Sequence, residues 1–352
     1  MEMITYPHQV IPLISYNDKD ITEDITPYLI SLSYTDNMSG YADDLTLELE
    51  DRAGVWLSDW FPDRGALLDI SLATRNWTGE GIEALNVGLF AIDTIEGSAP
   101  PSRIELKATS IPENNELRGV DRTRSWEKAE LKTIANDIAA GAEMVLVYDT
   151  EDNPVLDRVE QTEQSDLSFL LKLCEDNGLA LKICKNQLVI FDATEYEKVE
   201  PTITIVKPGT SIEKKEGMHY VTRITGYRMH VVTRDIYKAC HVQCNDDQSG
   251  ATVEATFTAP NKAEGKTLEI KEQVKTVAEA EKLAKKRLRE KNKDEWTIAI
   301  DTMGDVYLLA ATTVNVQGFG KFDGKYIITK AQHDIGSGYT TSIDLRRCLD
   351  GY

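Results

Sequence analysis

A few clusters in this 352-residue chain carry side chains that could do chemistry, and each can be tested against what that chemistry needs. Gly318-Phe319-Gly320, with Gly324 close behind, has the glycine density of a phosphate-binding loop. Such a loop must open a helix, whose first amides hold the anion. Here the apolar run Tyr326-Ile327-Ile328 follows instead, so a hairpin turn is expected. Cys240 and Cys244 flank His241-Val242-Gln243, and His219 and His230 lie upstream. Structural zinc sites use a tighter Cys-x2-Cys knuckle with a second ligand pair, so no metal site is assigned to Cys240 or Cys244. His333, in Ala331-Gln332-His333-Asp334, sits where a strand ends and is expected to be a satisfied structural residue. The acid pairs Asp43-Asp44 and Asp246-Asp247 lie in turn-like sequence, where solvated loop carboxylates are the expectation. No Gly-x-Ser-x-Gly elbow and no catalytic-cysteine signature is present. The sequence is therefore read as a structural or interaction protein and not an enzyme, with no catalytic, cofactor or metal residue.

The elements around these clusters divide the chain in three. Residues 1–115 read as strands at Tyr28 to Tyr34, Leu45 to Leu49, Leu67 to Ala73, Gly88 to Ile95 and Arg103 to Ala108, separated by turn clusters. Residues 116–200 bring helical periodicity. Leu131, Ile134, Ala135 and Ile138 mark a helix over about 129–140 with Gly141 as its C-cap. Ser165 caps a second helix from Asp166 to Asn177, with Leu167, Leu170, Leu171 and Cys174 as its apolar stripe and Gly178 as its stop. Strands follow at Leu179 to Cys184 and Leu188 to Phe191. Residues 201–352 return to strands, around Trp296 to Asp301, Thr312 to Gln317, Tyr326 to Ala331 and Thr340 to Leu345. They are broken by an insertion near 229–275 and a helix near 276–292. There Thr276 and Glu279 form a capping box, and Val277, Ala280, Ala284 and Leu288 form a narrow stripe expected to pack on the second β-domain. No short-period repeat is visible.

The net charge of −20 is uneven: residues 1–120 hold 21 acids against 7 bases, whereas residues 201–352 hold 20 against 23. That balance argues against specific nucleic-acid binding. The basic run Lys282 to Lys293 has helical spacing and reads as a solvated helix face. No stretch approaches the roughly 20 apolar residues of a membrane span. Five cysteines and an amino terminus without an apolar signal core point to synthesis in a cytoplasm with reduced thiols.

Three stretches together resemble the phage late control protein D family, the baseplate hubs of contractile tails, related to the hub portion of VgrG. The first is Asp44-Leu45-Thr46-Leu47-Glu48-Leu49-Glu50-Asp51, then Trp56, Gly65 and Gly88-Leu89-Phe90-Ala91-Ile92-Asp93. The second, and the most specific, is Gln161-Thr162-Glu163-Gln164-Ser165-Asp166-Leu167-Ser168-Phe169-Leu170, continuing to Leu173 and Gly178. The third runs from Ala278 to Arg347, through Gly318-Phe319-Gly320, Tyr326, His333 and Gly338-Tyr339-Thr340-Thr341. Ala310-Ala311 departs from the family, which often has glycine there. The resemblance implies a mainly β fold with α+β parts: two tube-type β-barrel domains flanking a small α/β domain. It also implies a homotrimer that joins the hexameric tail tube protein to a trimeric central spike protein in the virion tail baseplate. Other baseplate proteins and the tape measure protein are the further neighbours that the resemblance leads one to expect. The chain ends at Tyr352, so the spike is expected to be a separate polypeptide. A tail-associated peptidoglycan hydrolase or glycan-binding accessory protein is the alternative. Asp43, Asp44, Glu48 and Glu50 are expected to line an acidic channel that lets a polyanion slide past.

Overall fold

The computed structural model describes residues 8–63, 65–77, 81–110, 116–245, 252–260 and 262–352. Asp246 and Asp247 lie outside the described residues. The first β-rich part begins with β1 (Gln9–Tyr16), β2 (Lys19–Asp20) and a single helical turn, α1 (Thr22–Ile25). It continues with β3 (Leu29–Asn37), β4 (Asp44–Glu50), β5 (Leu67–Arg75), β6 (Ile82–Ser98) and β7 (Arg103–Thr109). Period-two alternation builds it: Leu45, Leu47 and Leu49 on β4 are buried while Asp44, Thr46, Glu48 and Glu50 face outward. The hydrogen-bonded order is β3-β4-β7-β6-β5-β1-β2, around a core that includes Leu32, Leu47, Ile70, Phe90 and Ile104. Strand β1 was not among the expected strands. Pro12 interrupts its pattern but is accommodated because β1 meets β2 only at Ser15 and Tyr16, leaving an edge where a missing N–H costs little.

The middle part holds α2 (Glu116–Gly119), β8 (Asp121–Glu130), α3 (Leu131–Gly141), β9 (Val145–Asp149) and β10 (Val155–Ser165). After these come α4 (Asp166–Asp176), β11 (Ala180–Cys184), β12 (Gln187–Phe191) and α5 (Ala193–Lys198). Helices α3 and α4 share a core with the sheet β11-β12-β9, and β8 pairs with β10 as a separate ribbon. The Ser165 cap is as expected, its hydroxyl accepting from the Ser168 N–H at 3.3 Å. The stripe of α4 is rotated from the expected one: Phe169 and Leu173 are buried with Leu170 and Cys174, while Leu167 and Leu171 are only half-buried. Gly141 is the last residue of α3 and not its cap; Ala142 caps it, and Glu143 takes the left-handed turn at φ 55°. Lys185 and Asn186, both left-handed, make the two-residue hairpin between β11 and β12.

The last part comprises β13 (Ile203–Val206), β14 (His219–Val221) and β15 (Ile224–Val231), then β16 (Tyr237–Asn245), β17 (Thr252–Thr258) and β18 (Lys266–Ile270). Helix α6 (Val277–Asn292) precedes β19 (Trp296–Met303), β20 (Thr313–Gln317), β21 (Gly324–Ile335) and β22 (Tyr339–Arg347). The expected place of α6 is corrected here. It packs not on the second β-part but on a sheet of its own, β17-β16-β18, with Ala280, Ala284 and Leu288 against Cys240 and Val242. Val277 is exposed and belongs to no core. The Thr276 hydroxyl accepts from the Glu279 N–H at 3.1 Å, while the Glu279 carboxylate reaches one residue past the cap, to the Lys275 N–H.

Counting β2 with β3 and β14 with β15, and leaving aside the separate sheet of β16 to β18, the first and last parts share a pairing order. In each, the first strand lies beside the fourth, the fourth beside the fifth, the fifth beside the sixth, the sixth beside the third and the third beside the second. Two bulges coincide, whereas the shift between Ile70 and Ser71 on β5 has no counterpart on β20. A register shift falls between Leu29 and Ser31 on β3 and between Ile224 and Gly226 on β15; another falls between Ile92 and Thr94 on β6 and between Ile328 and Lys330 on β21. One difference is orientation, since β1 runs antiparallel to β5 whereas β13 runs parallel to β20. The two parts merge into one 14-stranded sheet because β21 pairs with β3, from Lys330 opposite Asn37 to Ile335 opposite Leu32.

Candidate functional site

The three parts meet at a buried charged cluster. Strand β11 alternates apolar residues into the middle core, and this places Lys182 on the opposite side, toward the end of β3. Its ammonium donates to Asp36 Oδ1 at 2.5 Å, to the Asn37 carbonyl at 2.7 Å and to both Asp43 oxygens at 3.1 Å. Asp43 Oδ1 also accepts from the Asn37 N–H at 2.8 Å, and Asp36 Oδ2 accepts from the Ala310 N–H at 2.8 Å. Ser110 links Asp43 N–H to the Ile183 carbonyl. Burial pushes the Asp43 carboxyl up to about 7, Lys182 pulls it down, and Asp36 adds to the rise. Two carboxylates thus share one ammonium, and a proton on Asp43 makes the cluster neutral. This corrects two expectations for Asp43: it is neither a solvated loop residue nor a free channel acid. Asp36 and Lys182 were missed altogether; a lysine inside the apolar run Leu179 to Ile183 was the available signal.

A second charged site joins α6 to the middle part across a cleft of about 1160 Å³. Lys282 and Lys286 reach the two oxygens of Asp152 at 2.5 and 2.9 Å, Arg287 reaches Asp176 at 3.4 Å, and Lys275 pairs with Asp157. Deeper in, the Glu197 carboxylate lies between Arg289 and Arg346 and accepts from the Leu349 N–H at 3.0 Å. Burial opposes its ionisation, yet the two guanidinium groups hold its carboxyl below the usual range, so it is a fixed anion with no proton to give. The basic face of α6 is therefore in part an inter-domain clasp, while Lys282, Lys285 and Lys291 remain exposed as its composition suggested.

The remaining candidates are structural in geometry. His333 is fully buried, its Nε2 within 3.1 Å of the Leu308 carbonyl and its Nδ1 within 2.8 Å of the Tyr339 hydroxyl. A carbonyl can only accept, so Nε2 carries the proton, and burial keeps the ring neutral. His219 pairs with Asp305 at 2.5 Å, and His230 is exposed on β15. Cys240 and Cys244 lie on one strand with four residues' rise between them, about 13 Å, too far apart to ligate one ion. Burial pushes the Cys240 thiol up to about 11. Among the described residues no group of three or more His, Cys, Asp or Glu is placed to hold a metal. Gly318, Gly320 and Gly324 take left-handed backbone in the turn between the antiparallel strands β20 and β21, as expected. Glu48 and Glu50 share the outward face of β4 but are tied to Arg103 and Arg52, while Asp44 is exposed. Among the described residues no helix is long and apolar enough to cross a membrane.

Comparison with known proteins joins these features to a lineage. The probable baseplate hub protein of Escherichia phage 186 is 29% identical over 200 residues, 55% of this chain and 49% of that protein. The chain thus spans about half the length of the curated relatives it matches. The 43 kDa tail protein of prophage MuSo2 from Shewanella oneidensis has the same fold, with a TM-score of 0.69 at 14% identity over 97% of this chain and 99% of that one. The E. coli c3393 protein, a component of the type VI secretion system, aligns over 97% of this chain and 76% of its own at TM-score 0.53 and 11% identity. The family model for the phage tail baseplate hub (GPD) matches residues 109–339. From the Gln164 to Leu170 motif, the overall fold and this match, the chain belongs to the phage tail baseplate hub family.

Proposed function

We propose that three copies of the chain form the hub ring of a contractile tail or tail-like particle, joining the hexameric tail tube to a trimeric central spike. Each copy contributes two tube-type barrels, residues 1–115 and 201–352, on either side of the α/β domain 116–200. The observation that carries this reading is the pairing order common to the two β-parts, with two coincident bulges and an edge-to-edge joint. Three copies then present six like units, which is what a threefold part needs in order to meet a sixfold one. A structural role is supported by the polar groups: Lys182, Glu197 and Arg346 form buried ion pairs between parts of the fold, and His333 stacks on Tyr34 of the first part. Synthesis takes place in the host cytoplasm before assembly. Native mass spectrometry with the spike and tube proteins is expected to show a trimer of this chain. A chain that stays monomeric with both partners present overturns the reading.

A further inference from the structure

We propose that a cavity at the seam of the first and last β-parts binds a small, multiply charged oxyanion, a phosphate compound or a polycarboxylate. The cavity, of about 410 Å³, opens between β14, the turn into β15 and the end of β19. Trp77, just past β5, walls it from the first part. That volume falls in the range of small-molecule sites, roughly 300–1,000 Å³. Charge selects what it holds. Lys214, Lys215, His219 and Arg223 line the cavity, and Asp305 is the one carboxylate that does so. Glu213 and Glu216 bracket the two lysines in sequence but do not line it. Glu83 stands beyond Tyr307, whose hydroxyl donates to it at 3.2 Å. Asp305 is already engaged: His219 Nε2 lies 2.5 Å from its Oδ2, and its Oδ1 accepts from the Tyr307 N–H at 3.1 Å. That hydrogen bond to Asp305 holds the His219 ring above its ordinary pKa and favours the imidazolium. With the ring protonated, four positive charges face one negative charge.

These cations differ from those at the junction and the clasp. Lys182, Lys282, Lys286, Arg289 and Arg346 each meet a carboxylate. Among the described residues no carboxylate pairs with Lys214, Lys215 or Arg223. Lys214 lies 5.8 Å over the Tyr220 ring, and Arg223 Nη1 donates to the Met303 thioether at 3.0 Å. Both contacts place a charge without neutralising it, since a ring face and a thioether are weak partners. In a chain of net charge −20, unneutralised cations gathered on one concave surface focus a positive field there, and a bound anion relieves their repulsion. The Arg223 fork suits phosphate or carboxylate oxygens, and the lysines add adjustable point charges. The wall beneath is fixed. The Gly304 carbonyl accepts from Trp77 Nε1 at 2.6 Å, and a Cβ at Gly304 would lie 2.1 Å from the Tyr339 ring. An anion seated here ties the loop and turn of the last part together, beside the hairpin that reaches across from the first. Binding to the folded chain alone raises its melting temperature.

The test is calorimetric titration of the full-length chain with inorganic phosphate and, separately, with citrate, each against chloride at matched ionic strength. At least one is expected to bind at one site per chain and to raise Tm, and the tighter of the two identifies the class of anion. Lys215→Glu and Arg223→Glu are each expected to weaken that binding about tenfold or more, and together to abolish it. Both side chains are exposed, so the unliganded variants are expected to melt as the wild type does. Lys215→Gln and Arg223→Gln, which remove charge without reversing it, are expected to follow the same order with a smaller loss. Lys291→Glu makes the same charge change on the exposed face of α6 and is expected to leave binding unchanged. Failure of both anions to bind above the chloride control overturns the proposal. So does binding that Lys291→Glu weakens as much as Arg223→Glu. The threefold reading stands in either case.

Discussion

At the Lys182 junction three charged side chains are almost wholly removed from water, whereas along α6 the basic side chains meet middle-domain carboxylates at a surface cleft. Side-chain exposure at the junction is 18% for Lys182, 7% for Asp36 and 3% for Asp43; at the clasp it is 57% for Lys282 and 22% for Asp152. Taking charge out of water is expensive, so the junction depends on every partner being present, and removing one strands the others. The clasp gives up little hydration and gains little in return. The junction also ties three parts through backbone groups of Asn37 and Ala310, while the clasp ties two modules whose apolar cores are separate. One seam defines the fold, and the other sets where an appendage rests.

That contrast can be broken most directly at Lys182. Lys182→Met leaves two buried carboxylates without their cation and is expected to cost about 3–5 kcal/mol, read by chemical denaturation near pH 7. A loss below about 1 kcal/mol would show that water reaches the cluster. Asp43 sharpens the picture through pH. Its carboxyl titrates at about 7 in the folded chain but near the ordinary aspartate value, about 4, when unfolded. The folded state therefore holds a proton that the unfolded state has released across that window. The resulting stability is fully present below about pH 4 and is lost as pH rises through about 7, on the order of 2–4 kcal/mol. Asp43→Asn cannot titrate and should flatten that slope; parallel stability curves for the two proteins would contradict the assignment. The smallest effect belongs to the clasp. Asp152→Asn is expected to cost about 1 kcal/mol or less, and molar salt should erase the difference by screening. Increased amide exchange should be confined to α6 and the β9–β10 connection, and a global loss of stability would make the clasp a second junction.

How much of this was readable in the sequence depended on whether the deciding neighbours were near in the chain. Leu45, Leu47 and Leu49 declare their face by alternation, Ser165 caps the helix it precedes, and Gly318 to Gly324 turn where glycines and a following strand require it. Asp43 was misread because its cation lies 139 residues away, and a carboxylate beside a turn looks solvated until that partner is known. The stripe of α6 was correctly seen as sheet-facing but assigned to the wrong sheet, because periodicity reports a buried face and not its partner. The likeness of the two β-parts was legible only through the family resemblance and not from the residues themselves, because it is kept in pairing and not in residue type. Leu32 corresponds to Tyr227, Ser31 to Gly226 and Glu96 to Gln332, and no comparison of side chains would align them.

The module carrying α6 enters after β15 and leaves before β19, at the place where the first β-part has only the short turn between β3 and β4. Its two ends are already fastened to each other, with the Val232 N–H donating to the Glu295 carbonyl at 2.9 Å. Whatever chain is spliced between those two residues, the strands on either side keep their partners and their register. The entropy of closing such a loop grows only with the logarithm of its length. This hairpin root is thus a graft point. An appendage rooted there can be lengthened, trimmed or exchanged while β15 and β19 keep their places.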